Sequence, residues 1–85
     1  MKIKVLIADH QKLNSDGVKA ILNNEKNIEV IAVENNGNNI VSNALKLKPD
    51  IVLLNTRMPG LDVLEATKEI ISGNPKIKII ILSEI

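Results

Sequence analysis

Apolar and polar positions alternate through Lys2-Ile3-Lys4-Val5 and then give way to the unbroken run Val5-Leu6-Ile7-Ala8. That pattern predicts a strand whose far end is covered on both faces. From Leu13 to about Asn23, the positions Val18, Ile21 and Leu22 recur at the three- and four-residue spacing of one helix face, with Lys19 and Asn23 turned elsewhere. Gly17 inside this helix costs roughly 1 kcal/mol against Ala. Ile28 to Val33 is rich in β-branched residues and predicts a second strand, ending in the turn-forming stretch Glu34-Asn35-Asn36-Gly37-Asn38-Asn39. Ile40, Val41, Ala44, Leu45 and the stem of Lys48 form a helical stripe that must stop before Pro49, because proline disfavours the α region for the residue preceding it. The uninterrupted Ile51-Val52-Leu53-Leu54 predicts a central strand buried on both faces. Asp62-Val63-Leu64-Glu65 fits a capping box with Asp62 as N-cap. The helix it opens is expected to turn Leu64, Ile70 and Ile71 inward and to stop at Gly73-Asn74-Pro75. Ile77 to Leu82 predicts a fourth strand, followed by Ser83-Glu84-Ile85.

Strands and helices that alternate with short connections favour a parallel sheet, each helix serving as a right-handed crossover. Working residues in such sheets lie in loops at the carboxyl ends of the strands. Those loops are Asp9-His10-Gln11, Glu34 to Asn39, Asn55 to Gly60, and Ser83-Glu84.

Composition narrows the picture. The chain has 85 residues, 45% hydrophobic and 25% charged, which is a single globular domain spanning residues 1–85. A domain this short buries only about 60% of the surface its unfolded chain exposes, so its stability margin is thin. There is no Phe, Tyr or Trp, so the core is aliphatic and no ring can stack on bases. With a net charge of +1, this excludes nucleic-acid binding by this chain alone. The absence of Cys excludes disulfides, thiolate metal sites and thiol nucleophiles. No apolar run approaches the ~20 residues of a membrane span. Met1-Lys2-Ile3-Lys4 leads into a strand rather than a signal peptide, so the expected location is cytoplasmic, away from membranes.

Several motifs together carry a likeness: Val5-Leu6-Ile7-Ala8-Asp9, Gly17 with Ala20-Ile21-Leu22, Glu34-Asn35-Asn36-Gly37, Ala44-Leu45-Lys46-Leu47-Lys48-Pro49-Asp50, and Asn55-Thr56-Arg57-Met58-Pro59-Gly60. Over nearly its whole length the chain resembles the receiver domains of two-component response regulators, of the subfamily whose receivers precede a LuxR-type helix-turn-helix. The resemblance implies a flavodoxin-like α/β fold, here incomplete, with about four parallel strands and three helices. In that family a histidine kinase passes a phosphoryl group to one aspartate, with Mg²⁺ held by oxygen ligands. Carried over residue by residue, the resemblance puts the phosphoacceptor position at Asn55, the acidic pair at Asp9 and His10, the metal-binding carbonyl at Arg57 and the switch hydroxyl at Ser83.

Two of the three carboxylates that the resemblance calls for are replaced. An amide has no anionic oxygen to attack phosphorus, so Asn55 is not expected to be phosphorylated. With His10 in place of a carboxylate, the metal site (Asp9, His10, Arg57) reads as vestigial and no cofactor is expected. His10 reads as a solvent-facing loop imidazole and Ser83 as a structural strand end. Asp9 is either a relic of the metal site or a cap for the first helix. The resemblance also implies a fifth strand and its lysine beyond Ile85, which leaves Ile77 to Leu82 as an aliphatic edge open to another strand. The expected function is a phosphorylation-independent, non-enzymatic regulatory or interaction module of a two-component system. A protein partner or a second copy would bind at the Ile77, Ile79, Ile81 edge. The second reading is a truncated or mutated phosphoacceptor receiver of a DNA-binding transcriptional regulator.

Overall fold

The computed structural model describes residues 2–83. The first strand, β1 (Ile3–Ala8), is followed by α1 (Lys12–Asn23), β2 (Ile28–Glu34), a short 3₁₀ turn (Gly37–Asn39), α2 (Ile40–Leu47), β3 (Ile51–Asn55), α3 (Val63–Gly73) and β4 (Lys78–Leu82). The four strands form one sheet in the order β2-β1-β3-β4, and every pairing is parallel. This is the flavodoxin-like α/β arrangement expected, with four strands and three helices. Strand order reverses direction between β1 and β3. Right-handed crossovers therefore put α1 on one face and α2 with α3 on the other.

The main core lies under α2 and α3. Leu6 and Ala8 of β1, Val52 and Leu54 of β3, Ile40 and Ala44 of α2, Ile70 of α3, Met58 and Ile77 form one buried aliphatic cluster. Strand alternation sends Leu6, Ala8, Val52 and Leu54 to this face and Val5, Ile7, Ile51 and Leu53 to the other. On the α1 face Val5 and Ile7 are buried, but Ile51 and Leu53 remain partly open. The expectation that β3 is covered on both faces thus holds for only one of them. The physical reason is that α1 packs against β1 and β2.

The helices form where the pattern places them, but two present different faces from those expected. In α3, Ala66 and Ile70 are buried, whereas Leu64 is 66% exposed and Ile71 44%. In α1 the one fully buried residue is Ser15, Val18 and Leu22 are half-buried, and Ile21 is 69% exposed. Asp62 caps α3 as expected, its Oδ1 accepting the Glu65 N–H at 3.1 Å. Lys48 closes α2 in the left-handed region at φ 54, so the helix ends before Pro49 by a αL cap rather than by extended backbone.

At β4 the expected edge is corrected in detail. The strand begins at Lys78, and Ile77 is buried in the core. Ile79 pairs with Val52 and shares its inward face, so it packs on the core. The exposed apolar residues of β4 are Ile80 at 46% and Ile81 at 43% exposure, which strand alternation sends to opposite faces of the sheet. Among the described residues no helix is long and apolar enough to cross a membrane.

These assignments separate two apolar residues of α3, Leu64 and Ile70. Ile70→Ala should cost about 2–5 kcal/mol through lost burial and a residual cavity. Leu64→Ala should stay within about 0.5 kcal/mol. Urea unfolding followed by far-ultraviolet circular dichroism measures both.

Candidate functional site

The pairing of β1 with β3 sets Ala8 beside Leu54. The residues that follow, Asp9 and Asn55, are therefore neighbours at the carboxyl end of the sheet, where the strand order reverses. Both are buried, each 5% exposed. Asn55 Nδ2 donates to Asp9 Oδ2 at 3.3 Å, while Asn55 Oδ1 accepts the Arg57 N–H at 2.8 Å. The other carboxylate oxygen, Asp9 Oδ1, accepts the Gln11 N–H at 2.9 Å. Asp9 thus bonds the chain at the entry to α1, where the N-cap Gln11 makes no side-chain cap bond of its own, and its other oxygen meets the Asn55 amide.

Two further side chains hold this end of β1, and the spacing of residues gave no sign of them. Asn35 Nδ2 donates to the Asp9 carbonyl at 2.7 Å and to Ser15 Oγ at 3.1 Å. Ser15 Oγ in turn donates to the Lys12 carbonyl at 2.9 Å. The only available signal was an Asx residue directly after β2 and a small hydroxyl in the first turn of α1. Neither distinguishes a cross-loop clamp from ordinary turn chemistry.

The loop after β3 is shaped by Met58-Pro59-Gly60-Leu61. Leu61 N–H bonds the Met58 carbonyl at 3.1 Å, and Gly60 has φ +78. This is a type II turn with Pro at its second position and Gly where φ must be positive. The loop packs against Gly37, where an added Cβ would lie 2.8 Å from Leu61 Cβ and 3.1 Å from the Pro59 carbonyl oxygen. Asn36 Oδ1 accepts the Asn38 N–H at 2.8 Å and so holds Gly37 in this close approach.

The remaining site residues separate. His10 is exposed, as the loop reading expects, and Arg57 is exposed on the β3 loop. Both line a cleft of about 460 Å³ with Gln11, Thr56, Met58 and Pro59. Ser83 is exposed beyond the end of β4. Glu84, the other residue of that loop, lies outside the described residues.

The residues present do not fit a hard dication. Such an ion takes carboxylate and carbonyl oxygens, but Asp9 already has both oxygens hydrogen-bonded, one of them to the Asn55 amide NH₂. Among the described residues no three His, Cys, Asp or Glu side chains cluster to hold a metal. No buried side-chain nitrogen or oxygen among them lacks a hydrogen-bond partner.

A parallel sheet of order 2-1-3-4, with an acidic residue after β1 facing the end of β3, defines a receiver-type domain. Residues 5–85 match the response regulator receiver domain, and the chain belongs to that family. It is 38% identical over 82 residues to the transcriptional regulatory protein DegU of Brevibacillus brevis, a match covering 96% of this chain and 35% of that protein. It is 40% identical over 75 residues to a protein-glutamate methylesterase/protein-glutamine glutaminase of Vibrio cholerae, covering 88% of this chain and 20% of that protein. The response regulator domain of Thermotoga maritima CheB superposes with a TM-score of 0.90 at 28% identity, over 98% of this chain and 61% of that one. The chain therefore spans about a third or less of the length of these two curated relatives. Its match is to a receiver module, not to an enzymatic one.

The hydrogen bonds of Asp9 make it a structural residue whatever else it does. Asp9→Ala leaves the Gln11 N–H and the Asn55 amide without this acceptor and should cost about 1–3 kcal/mol. His10→Ala, at an exposed position, should change stability by less than about 0.5 kcal/mol. Chemical denaturation of the two variants side by side checks the contrast.

Proposed function

We propose that this chain is the receiver part of a DNA-binding transcriptional response regulator, and that its signalling does not pass through an acyl phosphate at Asn55. The likeness to DegU over 96% of the chain supports the first half, and favours it over a free-standing interaction module. The second half rests on one observation. The side chain at the end of β3 is an amide that donates its N–H to Asp9. A phosphoryl acceptor there would need an anionic oxygen, and the metal that neutralises charge on a transferring phosphoryl group has only one carboxylate to hold it. With that chemistry lost, Asp9, Asn55 and the Arg57 N–H form a hydrogen-bonded latch that ties β1 to the β3 loop.

Without phosphorylation, output depends on contacts. β4 is the element we assign to self-association, with Ile80 and Ile81, one on each face of the sheet, as its exposed apolar positions. Among the described residues β4 pairs only with β3. Lys78 is also exposed there, at the strand's entrance.

Two experiments test these readings. Incubated with Mg²⁺ and a small phosphodonor, the chain should keep its mass, whereas Asn55→Asp should gain one phosphoryl group by intact-mass spectrometry. A hydroxylamine-sensitive adduct on the unmodified chain would overturn the first reading. Light scattering across a dilution series should show association that Ile80→Lys and Ile81→Lys weaken at least tenfold. A monomer at every concentration would refute the second.

A further inference from the structure

The loop after β2 holds the chain's one Asn-Gly pair, Asn36-Gly37. In such a pair the backbone nitrogen of the glycine can attack the side-chain carbonyl carbon of the asparagine, because no Cβ on the following residue blocks the approach. The packing leaves no room for a side chain at position 37, where an added Cβ would lie 2.8 Å from Leu61 Cβ and 3.1 Å from the Pro59 carbonyl oxygen. Gly37 is buried and Asn36 is exposed. The close approach of two loops thus selects the residue that makes its neighbour chemically labile.

The local geometry both prepares and restrains the reaction. Asn36 Oδ1 accepts the Asn38 N–H at 2.8 Å, a donor placed to stabilise the negative charge that develops on this oxygen as Cγ is attacked. As the first residue of the 3₁₀ turn, Gly37 has no acceptor within the turn for its own N–H. The restraint is torsional. Ring closure needs the Gly37 nitrogen beside Asn36 Cγ, which for an L residue requires a negative ψ, whereas Asn36 has ψ 131. Rotating that bond swings Gly37 out of its seat against Leu61 and Pro59, so the loops after β2 and β3 must part first. Comparable pairs are held differently. In Asp16-Gly17 the helical ladder of α1 engages the glycine N–H. In Asn55-Thr56 the attacking nitrogen donates to the Leu82 carbonyl at 3.0 Å, and its residue is β-branched.

We propose that Asn36 is a site of covalent modification, deamidation through a cyclic imide, gated by separation of the loops after β2 and β3. The Gly37 nitrogen bonds to Asn36 Cγ, its proton passes to the departing amide nitrogen, and ammonia leaves. Water then adds to one of the two imide carbonyls of residue 36 and breaks its bond to the Gly37 nitrogen, with no change of oxidation state. Opening at Cγ leaves an aspartate, which keeps the cap on the Asn38 N–H. Opening at the main-chain carbonyl leaves an isoaspartate, whose extra backbone methylene displaces Gly37 from its seat. Either product cancels the chain's net charge of +1 and fixes a negative charge one residue from the contact with the β3 loop. This holds whether or not Asn55 accepts a phosphoryl group.

The test ages the whole chain in mildly alkaline buffer, folded and in urea, and follows each asparagine by peptide mass mapping. In the folded chain Asn36 is expected to convert before any other asparagine, with a gain of one mass unit, and at least tenfold more slowly than in urea. Asn36→Gln, whose longer side chain needs a larger ring, should stay unconverted at that position. Gly60→Ala strains the turn at φ +78 and should speed conversion of the folded chain several-fold without changing the rate in urea. The isoaspartate form, separated by ion exchange, should show displaced amide chemical shifts at Gly60 and Leu61. Earlier conversion at another asparagine, or equal rates folded and in urea, would overturn the proposal. A folded Gly60→Ala chain converting at the unsubstituted rate, or unmoved Gly60 and Leu61 amides, would overturn the coupling between the loops. Where Gly60→Ala does not fold, the ratio of folded to urea rates in the unsubstituted chain decides the gating.

Discussion

Everything at the functional end of the domain depends on the parallel register between β1 and β3. Once Val5 lies beside Ile51 and Ala8 beside Leu54, the next residues of both strands emerge together, and two loops distant in sequence share one mouth. The same register puts Leu6 and Ala8 on one face with Val52 and Leu54, where α2 and α3 close over them. A slip of one residue would turn the core residues of one strand to the opposite face. It would also part Asp9 from Asn55. Core and site are thus consequences of one alignment.

The latch sets a buried carboxylate opposite an amide rather than a second carboxylate. Two carboxylates side by side in a buried setting repel, and a cation or a proton must relieve them. An amide opposite a carboxylate needs neither, since its NH₂ donates where the second anion would repel. Asn55 also uses its oxygen to accept the Arg57 N–H, so it serves both loops.

Much of the architecture was legible because it is written in local spacing. The aliphatic runs at Val5 to Ala8 and Ile51 to Leu54, the Asp62 cap and the Pro49 stop all act within a few residues. Adjacency of Asp9 and Asn55 followed from the resemblance and from the topology of parallel crossovers. What escaped was geometry between elements. Leu64 and Ile71 satisfy an apolar stripe, but which arc of α3 meets the sheet depends on its packing with α2, which spacing along one helix does not encode. In α1 the fully buried residue is Ser15, a residue type that does not mark a core, while Ile21, on the same apolar stripe as Val18 and Leu22, is exposed. The bonds from Asn35 to Asp9 and Ser15 join residues 26 and 20 positions apart, beyond the reach of any local pattern.

The aliphatic interior has a further consequence, an optical one. With no Phe, Tyr or Trp anywhere in the chain, no ring lies in the core to report tertiary packing, and the folded domain is nearly transparent in the near ultraviolet. Its order is carried wholly by interlocking branched side chains such as Leu6, Ile7, Ile40, Leu54 and Ile70, which are spectroscopically silent. A single indole introduced at any position, or an aromatic molecule seated on its surface, would then supply essentially the whole of the signal in that window.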